Sequence, residues 1–161
     1  MIYIISDTHF NHKNIIDYSH RPFNSVEDMN AQMINNWNKV VSNKDTIYHL
    51  GDFSWGNKEF VSSIVSKLNG EKILIKGNHD KHSAKWYREC GFDTVVNGGI
   101  ILDEFYLLSH RPMFMTDDMP YVNLHGHIHQ NNMEGNKYFN VSVEQTNYEP
   151  IALDKIKKFY D

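Results

Sequence analysis

Residues 73–80 of this chain read Ile-Leu-Ile-Lys-Gly-Asn-His-Asp, and this stretch sets the pattern for the rest of the sequence. A short β-branched run, typical of a buried strand, ends at Gly77, where the backbone can turn sharply. Asn78, His79 and Asp80 then supply an amide, an imidazole and a carboxylate. Reactive groups in open α/β sheets collect at such strand ends. Taken alone, the stretch fits a polar turn as well as a functional site.

The same arrangement recurs at four other places, where a strand-like run ends in residues that bind metals or protons. These residues are Asp7 and His9 after residues 1–6, Asp52 after 46–51, His110 after 105–109, and His127 with His129 after 121–124. Asp7 and His9 are two apart, so in extended backbone both side chains face one side and can bind one ion. One such pair is more often solvated surface, but five such strand ends indicate a shared site.

Hydrophobic spacing predicts helices between the first of these strands. One helix is capped by Ser25, a second covers Asn57–Leu68, and a third covers Ser83–Cys90. Strands that alternate with helices in this way predict a largely parallel sheet with helical crossovers. The polar segment 11–24 is expected to be irregular.

The second half of the chain predicts a different sheet. Short strands at Thr94–Val96, Gly99–Leu102 and Phe105–Ser109 have little sequence between them and are typical of antiparallel hairpins. Two further strands, at Tyr121–Leu124 and Lys137–Val143, precede a terminal helix over Leu153–Tyr160.

Length and composition limit the class of protein. The 161 residues suit one domain, 1–161, with a full core. A net charge of −4 without a Lys/Arg block argues against a dedicated nucleic-acid-binding region. It leaves a nucleotide-derived substrate open, because bound metal ions reverse the local sign. A single cysteine, Cys90, and the lack of a signal-like or membrane-spanning run predict a cytoplasmic protein, whereas the oligomeric state is not predicted.

In their order along the chain, the motifs Asp-x-His, Gly-Asp, Gly-Asn-His-Asp, His and Gly-His-x-His resemble those of the calcineurin-like metallophosphoesterase superfamily. The resemblance covers residues 7–129 and points to the small bacterial and phage members. It implies an α/β fold, a four-layer α/β/β/α sandwich of two mixed sheets flanked by helices. The motif combination is specific for the superfamily and much less so for the substrate.

The resemblance also implies a role for each motif residue. Asp7, His9 and His129 would bind one divalent metal ion, Asn78, His110 and His127 would bind a second, and Asp52 would bridge the two. Nitrogen and oxygen ligands of this kind suit Mn²⁺ best, with Fe, Zn, Ni or Co as further candidates. They suit Ca²⁺ poorly, because calcium prefers oxygen ligands alone.

The implied reaction is hydrolysis of a phosphate ester, a diester rather than a monoester, by attack of metal-bound hydroxide on phosphorus. His79 would assist the leaving oxygen, and Asp80 would hold the His79 ring by a hydrogen bond. The candidates for substrate contact adjoin the motifs, and each could equally be a surface residue: His12, Asn14, Arg21 and Arg111.

Two other functions compete with this one. A non-catalytic scaffold of the same fold would bind protein partners, but such relatives typically lose ligands, and here every motif residue is present. A nuclease of the double-strand-break repair type would need added DNA-binding regions, for which the chain has neither the length nor the basic surface.

Overall fold

A computed structural model describes all 161 residues and contains two β-sheets. The strands are β1 Ile2–Ile5, β2 Thr46–His49, β3 Glu71–Ile75, β4 Thr94–Val96, β5 Gly99–Leu102, β6 Tyr106–Ser109, β7 Val122–His125, β8 Tyr138–Asn140 and β9 Ile151–Ala152. The helices are α1 Asn14–Tyr18, α2 Val26–Val40, α3 Lys58–Lys67, α4 Ala84–Glu89 and α5 Leu153–Lys157. None of these helices has the length and apolar run that crossing a membrane requires.

The first sheet has five strands in the order β4-β3-β2-β1-β9. Its strands β1 to β4 run parallel because helices connect them, and β9 pairs antiparallel with β1. Helix α2 is capped as predicted by Ser25, whose hydroxyl accepts a 3.0 Å hydrogen bond from the Asp28 amide. Its buried face, with Met29, Met33 and Trp37, belongs to the larger core, which lies between the helices and this sheet.

The second sheet has four strands in the order β5-β6-β7-β8. Only β5 and β6 form the predicted antiparallel hairpin, whereas β6, β7 and β8 run parallel. No direction was predicted for β7 and β8, and the 110–121 and 126–137 segments before them are long enough for parallel returns. The hairpin prediction was wrong for Thr94–Val96, which joins the first sheet as β4 because α4 supplies a crossover. Even so, the predicted α/β class with two mixed sheets and helices is confirmed.

Three smaller differences concern the loops and the C-terminus. The segment predicted to be irregular contains the short helix α1, whose Ile15 is buried in the larger apolar core. Strand β9 was not predicted, because two residues carry too little pattern. The terminal helix α5 ends at Lys157, earlier than its apolar spacing suggested.

The two sheets are joined at the point where β1 and β8 end. The Ser6 amide donates to the Val141 carbonyl and the Val143 amide donates to the Ser6 carbonyl, each over 3.1 Å. Val141 also donates to His125 at the end of β7, over 2.8 Å. Beneath this junction a second apolar core of ten residues, including Ile4 and Leu124, fills the space between the sheets. The strand ends of both sheets are thereby held side by side.

Candidate metal centre

Two groups of potential ligands lie at the joined strand ends. Asp7 and His9 follow β1 in the first sheet, and His129 comes from the loop after β7 in the second; their ligand atoms all lie within 4.8 Å of one another. Asp52, His110 and His127 form the other group to the same limit. Each group thus combines residues of both sheets, and each offers one carboxylate and two imidazoles.

Asp52 lies between the two groups. Its Oδ2 is 3.5 Å from Nε2 of His9 in one group and 3.5 Å from Nε2 of His110 in the other. Its Oδ1 accepts a 2.9 Å hydrogen bond from the His79 amide, which fixes the carboxylate. Asn78, the remaining predicted ligand, lies beside the second group and places its Oδ1 2.8 Å from Nε2 of His110. The seven predicted ligands therefore form one contiguous cluster.

The hydrogen bonding of the first group leaves ligand atoms free for a cation. The Asp7 Oδ2 accepts from the Ser6 hydroxyl over 2.6 Å and from the His127 amide over 2.8 Å. The other carboxylate oxygen of Asp7, Oδ1, and the Nε2 of His9 are buried without any hydrogen-bond partner. Buried polar atoms of this kind are rare unless an ion or water satisfies them, so the residues fit a bound metal.

In the second group, the ring of His110 is oriented for the same purpose. Its Nδ1 lies 2.8 Å from the Leu50 carbonyl, to which it can only donate. In the neutral ring the Nε2 lone pair then points at the Asn78 oxygen, another acceptor. The His110 nitrogen and the Asn78 oxygen are thus two facing acceptors, and a cation bound between them would satisfy both. The pKa values of His9 and His127 are lowered, mainly by burial, which favours the neutral imidazole that binds metals.

The backbone at the site is held in a conformation that side chains rarely adopt. Five proposed ligands have positive φ angles: Asp7 58°, His9 49°, Asp52 56°, His127 71° and His129 49°. Such conformations cost free energy and cluster at functional sites.

Glycines allow the ligand loops to approach one another. A Cβ at Gly77 would lie 2.3 Å from Oδ1 of Asp52, and a Cβ at Gly126 would lie 2.1 Å from Oδ2 of Asp7. Neither distance is compatible with a side chain, so both motif glycines are required by packing against a ligand carboxylate.

His79 and Asp80 follow Gly77, but they take different positions. His79 is exposed, with its ring centroid 5.9 Å from that of His9, at the mouth of the ligand cluster. Asp80 is buried and does not hold the His79 ring, contrary to expectation. Its oxygens accept from the backbone amides of Asp52, Gly77 and Phe53, over 2.7, 2.7 and 3.1 Å. Asp80 therefore fixes the loop that carries Asp52, because a carboxylate here satisfies three amides at once.

Arg21, a candidate for substrate contact, lies beneath the cluster instead of in the cleft. Its guanidinium is fully buried and donates to the backbone carbonyls of Asp7 and Thr8, over 2.7 Å each. It also pairs with Glu144 at 2.8 Å, and the same Glu144 oxygen accepts from Nδ1 of His129 at 2.9 Å. Burial opposes the charge of Glu144, but His129 and Arg21 lower its pKa.

Glu144 thus positions a proposed ligand, a role that the sequence did not reveal. It lies 15 positions after His129, and only the path of the chain through β8 brings the two together. No local spacing signals such a contact.

The remaining candidates occupy three different positions. His12 stacks on Trp55 with ring centroids 4.0 Å apart, and its Nδ1 lies 3.0 Å from Nδ1 of His9. Asn14 begins helix α1 and does not line the cavities at the cluster. Arg111 is exposed and, with Lys76, lines a cavity of about 280 Å³ beside His110.

Comparisons with known proteins agree with this arrangement. Residues 1–143 match the calcineurin-like phosphoesterase superfamily domain. The chain is 40% identical to the uncharacterized protein MJ1445 of Methanocaldococcus jannaschii, over 99% of this chain and 91% of that protein. It is 36% identical to the gene 66 protein of Mycobacterium phage L5, over 47% of this chain and 37% of that one.

Two solved structures are similar in fold. The protein of unknown function AQ665 from Aquifex aeolicus aligns with a TM-score of 0.77 and 31% identity, covering 98% of both chains. The nuclease MPE of Pseudomonas putida aligns with a TM-score of 0.55 and 18% identity, covering 80% of this chain and 61% of that one. At that identity the second likeness shows the fold alone.

Proposed function

The chain belongs to the calcineurin-like phosphoesterase superfamily, and on that premise we propose that it is a phosphodiesterase that depends on two divalent metal ions. One metal would be bound by Asp7, His9 and His129, and the other by Asn78, His110 and His127, with Asp52 shared. When bound, the ions activate the attacking water and neutralise charge on the phosphoryl group. The nitrogen and oxygen donor set favours Mn²⁺ over Ca²⁺.

The observation that carries this proposal is the position of Asp52. Its Oδ2 is 3.5 Å from a nitrogen of each group, so one carboxylate can serve two ions. The unpartnered Asp7 Oδ1 and His9 Nε2 support the same arrangement.

Other residues of the chain would act on the substrate directly. His79 is exposed at the mouth of the cluster and is the proposed general acid for the leaving oxygen. Arg111 and Lys76, beside the second group, would bind phosphate oxygens. Three buried residues would act only indirectly, by holding the ligand loops in place: Asp80, Arg21 and Glu144.

A diester preference is proposed because the cluster opens into wide cavities on two sides. One cavity measures about 730 Å³ and the other about 280 Å³, and both reach predicted ligands. A diester has substituents on both sides of phosphorus, and these cavities would accommodate them.

The test compares bis(p-nitrophenyl) phosphate with p-nitrophenyl phosphate, after chelation and dialysis and with Mn²⁺, Fe²⁺, Co²⁺, Ni²⁺, Zn²⁺ or Ca²⁺ restored singly. Metal-free protein should be inactive, and Mn²⁺ should restore diester hydrolysis ahead of monoester hydrolysis. Full activity without metal would rule out the proposal, and faster monoester hydrolysis would rule out its diester part.

Asp52→Asn provides the matching test of the shared carboxylate. Loss of several kcal/mol of metal stabilisation should lower kcat/KM by roughly a thousandfold. Metal analysis should show fewer bound ions in both groups. Asp103→Asn, which changes an exposed carboxylate paired with Lys157, should leave activity and metal content unchanged.

A further inference from the structure

A wide groove extends from the first ligand group toward helix α1. It has a volume of about 730 Å³ and starts at His9, His79, His127 and His129. Beyond these histidines it is lined by apolar, aromatic and amide side chains, with no Asp, Glu, Lys or Arg: Ile15, Tyr18, Trp55, Gln130, Asn131, Asn132 and Met133 among them. The groove therefore offers contact area and hydrogen bonds, but no charge.

Two of these side chains are exposed although they are large and apolar. Tyr18 is 67% exposed and Met133 is 40% exposed, and both line the groove. The Tyr18 ring meets the edge of His12, whose own ring stacks on Trp55 at 4.0 Å. An aromatic surface thus runs from Tyr18 to Trp55, whose ring centroid is 5.0 Å from that of the proposed ligand His9.

The groove also carries unused hydrogen-bonding groups. The side-chain amides of Gln130, Asn131 and Asn132 are exposed and make no hydrogen bond within the protein. Amides of this kind pair with the edges of heterocyclic bases, and exposed aromatic rings stack on their faces. An alkyl chain would use the apolar surface but would leave the amides without partners.

The other side of the cluster has the opposite character. The smaller cavity there is lined by Lys76 and Arg111, with Met113 as its one apolar residue. A phosphate held at the two ligand groups would have charged oxygens toward this cationic side, and an uncharged ring would bind on the aromatic side. The distribution of charge therefore gives the bound ester a direction.

We propose that the groove lined by Tyr18 and Met133 binds the nucleobase of a nucleotide substrate whose phosphate lies at the two ligand groups. This assignment rests on the proposed function, because it needs a phosphate ester at the metals. Tyr18 stacks on the base, and the three amides contact its edge. The groove favours an aromatic ring with hydrogen-bonding edges, and its lining does not distinguish among the bases.

The experiment measures binding without hydrolysis, by calorimetry on the Mn²⁺-loaded protein. The ligands are the 5′-methylenephosphonates of adenosine and of ribose, which differ only in the base and contain no ester to cleave. Stacking on an aromatic side chain should make the adenosine ligand bind on the order of 10- to 100-fold more tightly. Tyr18→Ala should remove most of this factor, Tyr18→Phe should keep it, and the affinity for the ribose ligand should stay constant.

Phe159→Ala serves as the matched control, since Phe159 is an aromatic residue of similar exposure, 69%, that lies outside the groove. It should change neither affinity. Equal binding of the two ligands by the natural protein would overturn the groove proposal while leaving the phosphoesterase proposal intact. Tighter binding of octylphosphonate than of the adenosine ligand would overturn it in favour of an apolar substituent. If neither phosphonate binds, the groove proposal and the metal-bound phosphate on which it depends both fail.

Discussion

At the scale of single residues, the side chains of the site fall into two sets. One set faces the cleft, where His79 and Arg111 are exposed to a substrate. The other is buried and acts through its neighbours: Asp80 binds three backbone amides, and Glu144 joins Arg21 to His129. Substitutions in the first set should alter catalysis, whereas those in the second should alter metal affinity.

His79→Ala should lower turnover by on the order of 10²- to 10⁴-fold on diesters with poor leaving groups, as expected for loss of a general acid. The loss should shrink for p-nitrophenolate, which leaves without a proton. Metal content should not change, because His79 is not a proposed ligand. His82→Ala, at an exposed histidine stacked on Trp86 at 3.8 Å, is the control. Equal losses on both leaving groups would assign His79 to the phosphoryl group instead.

Glu144→Ala should weaken one of the two metal sites by roughly 10- to 100-fold, the usual effect of removing a residue that orients a ligand. Titration with Mn²⁺ should show one weakened and one unchanged site. Glu144→Gln keeps an oxygen that can accept from His129 and should restore much of the affinity. The exposed Glu134→Gln should have no effect. Equal weakening of both sites would indicate general damage to the fold.

At the scale of strands and loops, the sequence predicted the positions of the proposed ligands better than the topology. Each ligand motif ends a short apolar or β-branched run, and that local pattern places it at a strand end whichever strand lies alongside. The direction of β6, β7 and β8 depends on long connections that carry no such pattern. The contact of Asp80 with the Asp52 loop was missed for the same reason, since it spans 28 positions.

Gly77→Ala tests the close approach of two loops. The added Cβ would lie 2.3 Å from the Asp52 carboxylate and 2.5 Å from the Asp52 amide nitrogen, so the loop after β2 must move. Metal content and activity should both fall, although no ligand is changed. Gly135→Ala strains a left-handed backbone (φ 92°) but places its Cβ in open space, in an exposed turn outside both cavities at the cluster, so it should leave metal content and activity unchanged. Normal metal binding by Gly77→Ala would show that the Asp52 loop is free to shift.

At the scale of the whole molecule, the proposed metal ions would link the two sheets. Asp7, His9 and Asp52 belong to the first sheet, whereas His110, His127 and His129 belong to the second. A bound ion is therefore also a crosslink between the halves of the sandwich. We propose that residues 1–161 unfold as one domain for this reason.

Chelation should lower the melting temperature in a single transition. Metal at a hundred times its Kd stabilises the folded state by about 2.7 kcal/mol, which corresponds to roughly 5–10 °C for a chain of this size. Calorimetry with and without Mn²⁺ measures the shift. Asp52→Asn should show a smaller shift than the natural protein. Two separate transitions would contradict the single-domain proposal.

The backbone junction of Ser6 with Val141 and Val143 has a consequence for local motion. All three residues are fully buried; the Ser6 and Val143 amides donate across the two sheets, and the Val141 amide donates to His125 within the second sheet. Opening either sheet alone would break these hydrogen bonds. Partial unfolding that exposes these amides should therefore cost nearly as much free energy as global unfolding. Their amide protons should therefore exchange with deuterium only through global unfolding. These hydrogen bonds would hold the two sheets at a fixed separation, so the width of the cleft would stay constant while substrates enter and leave.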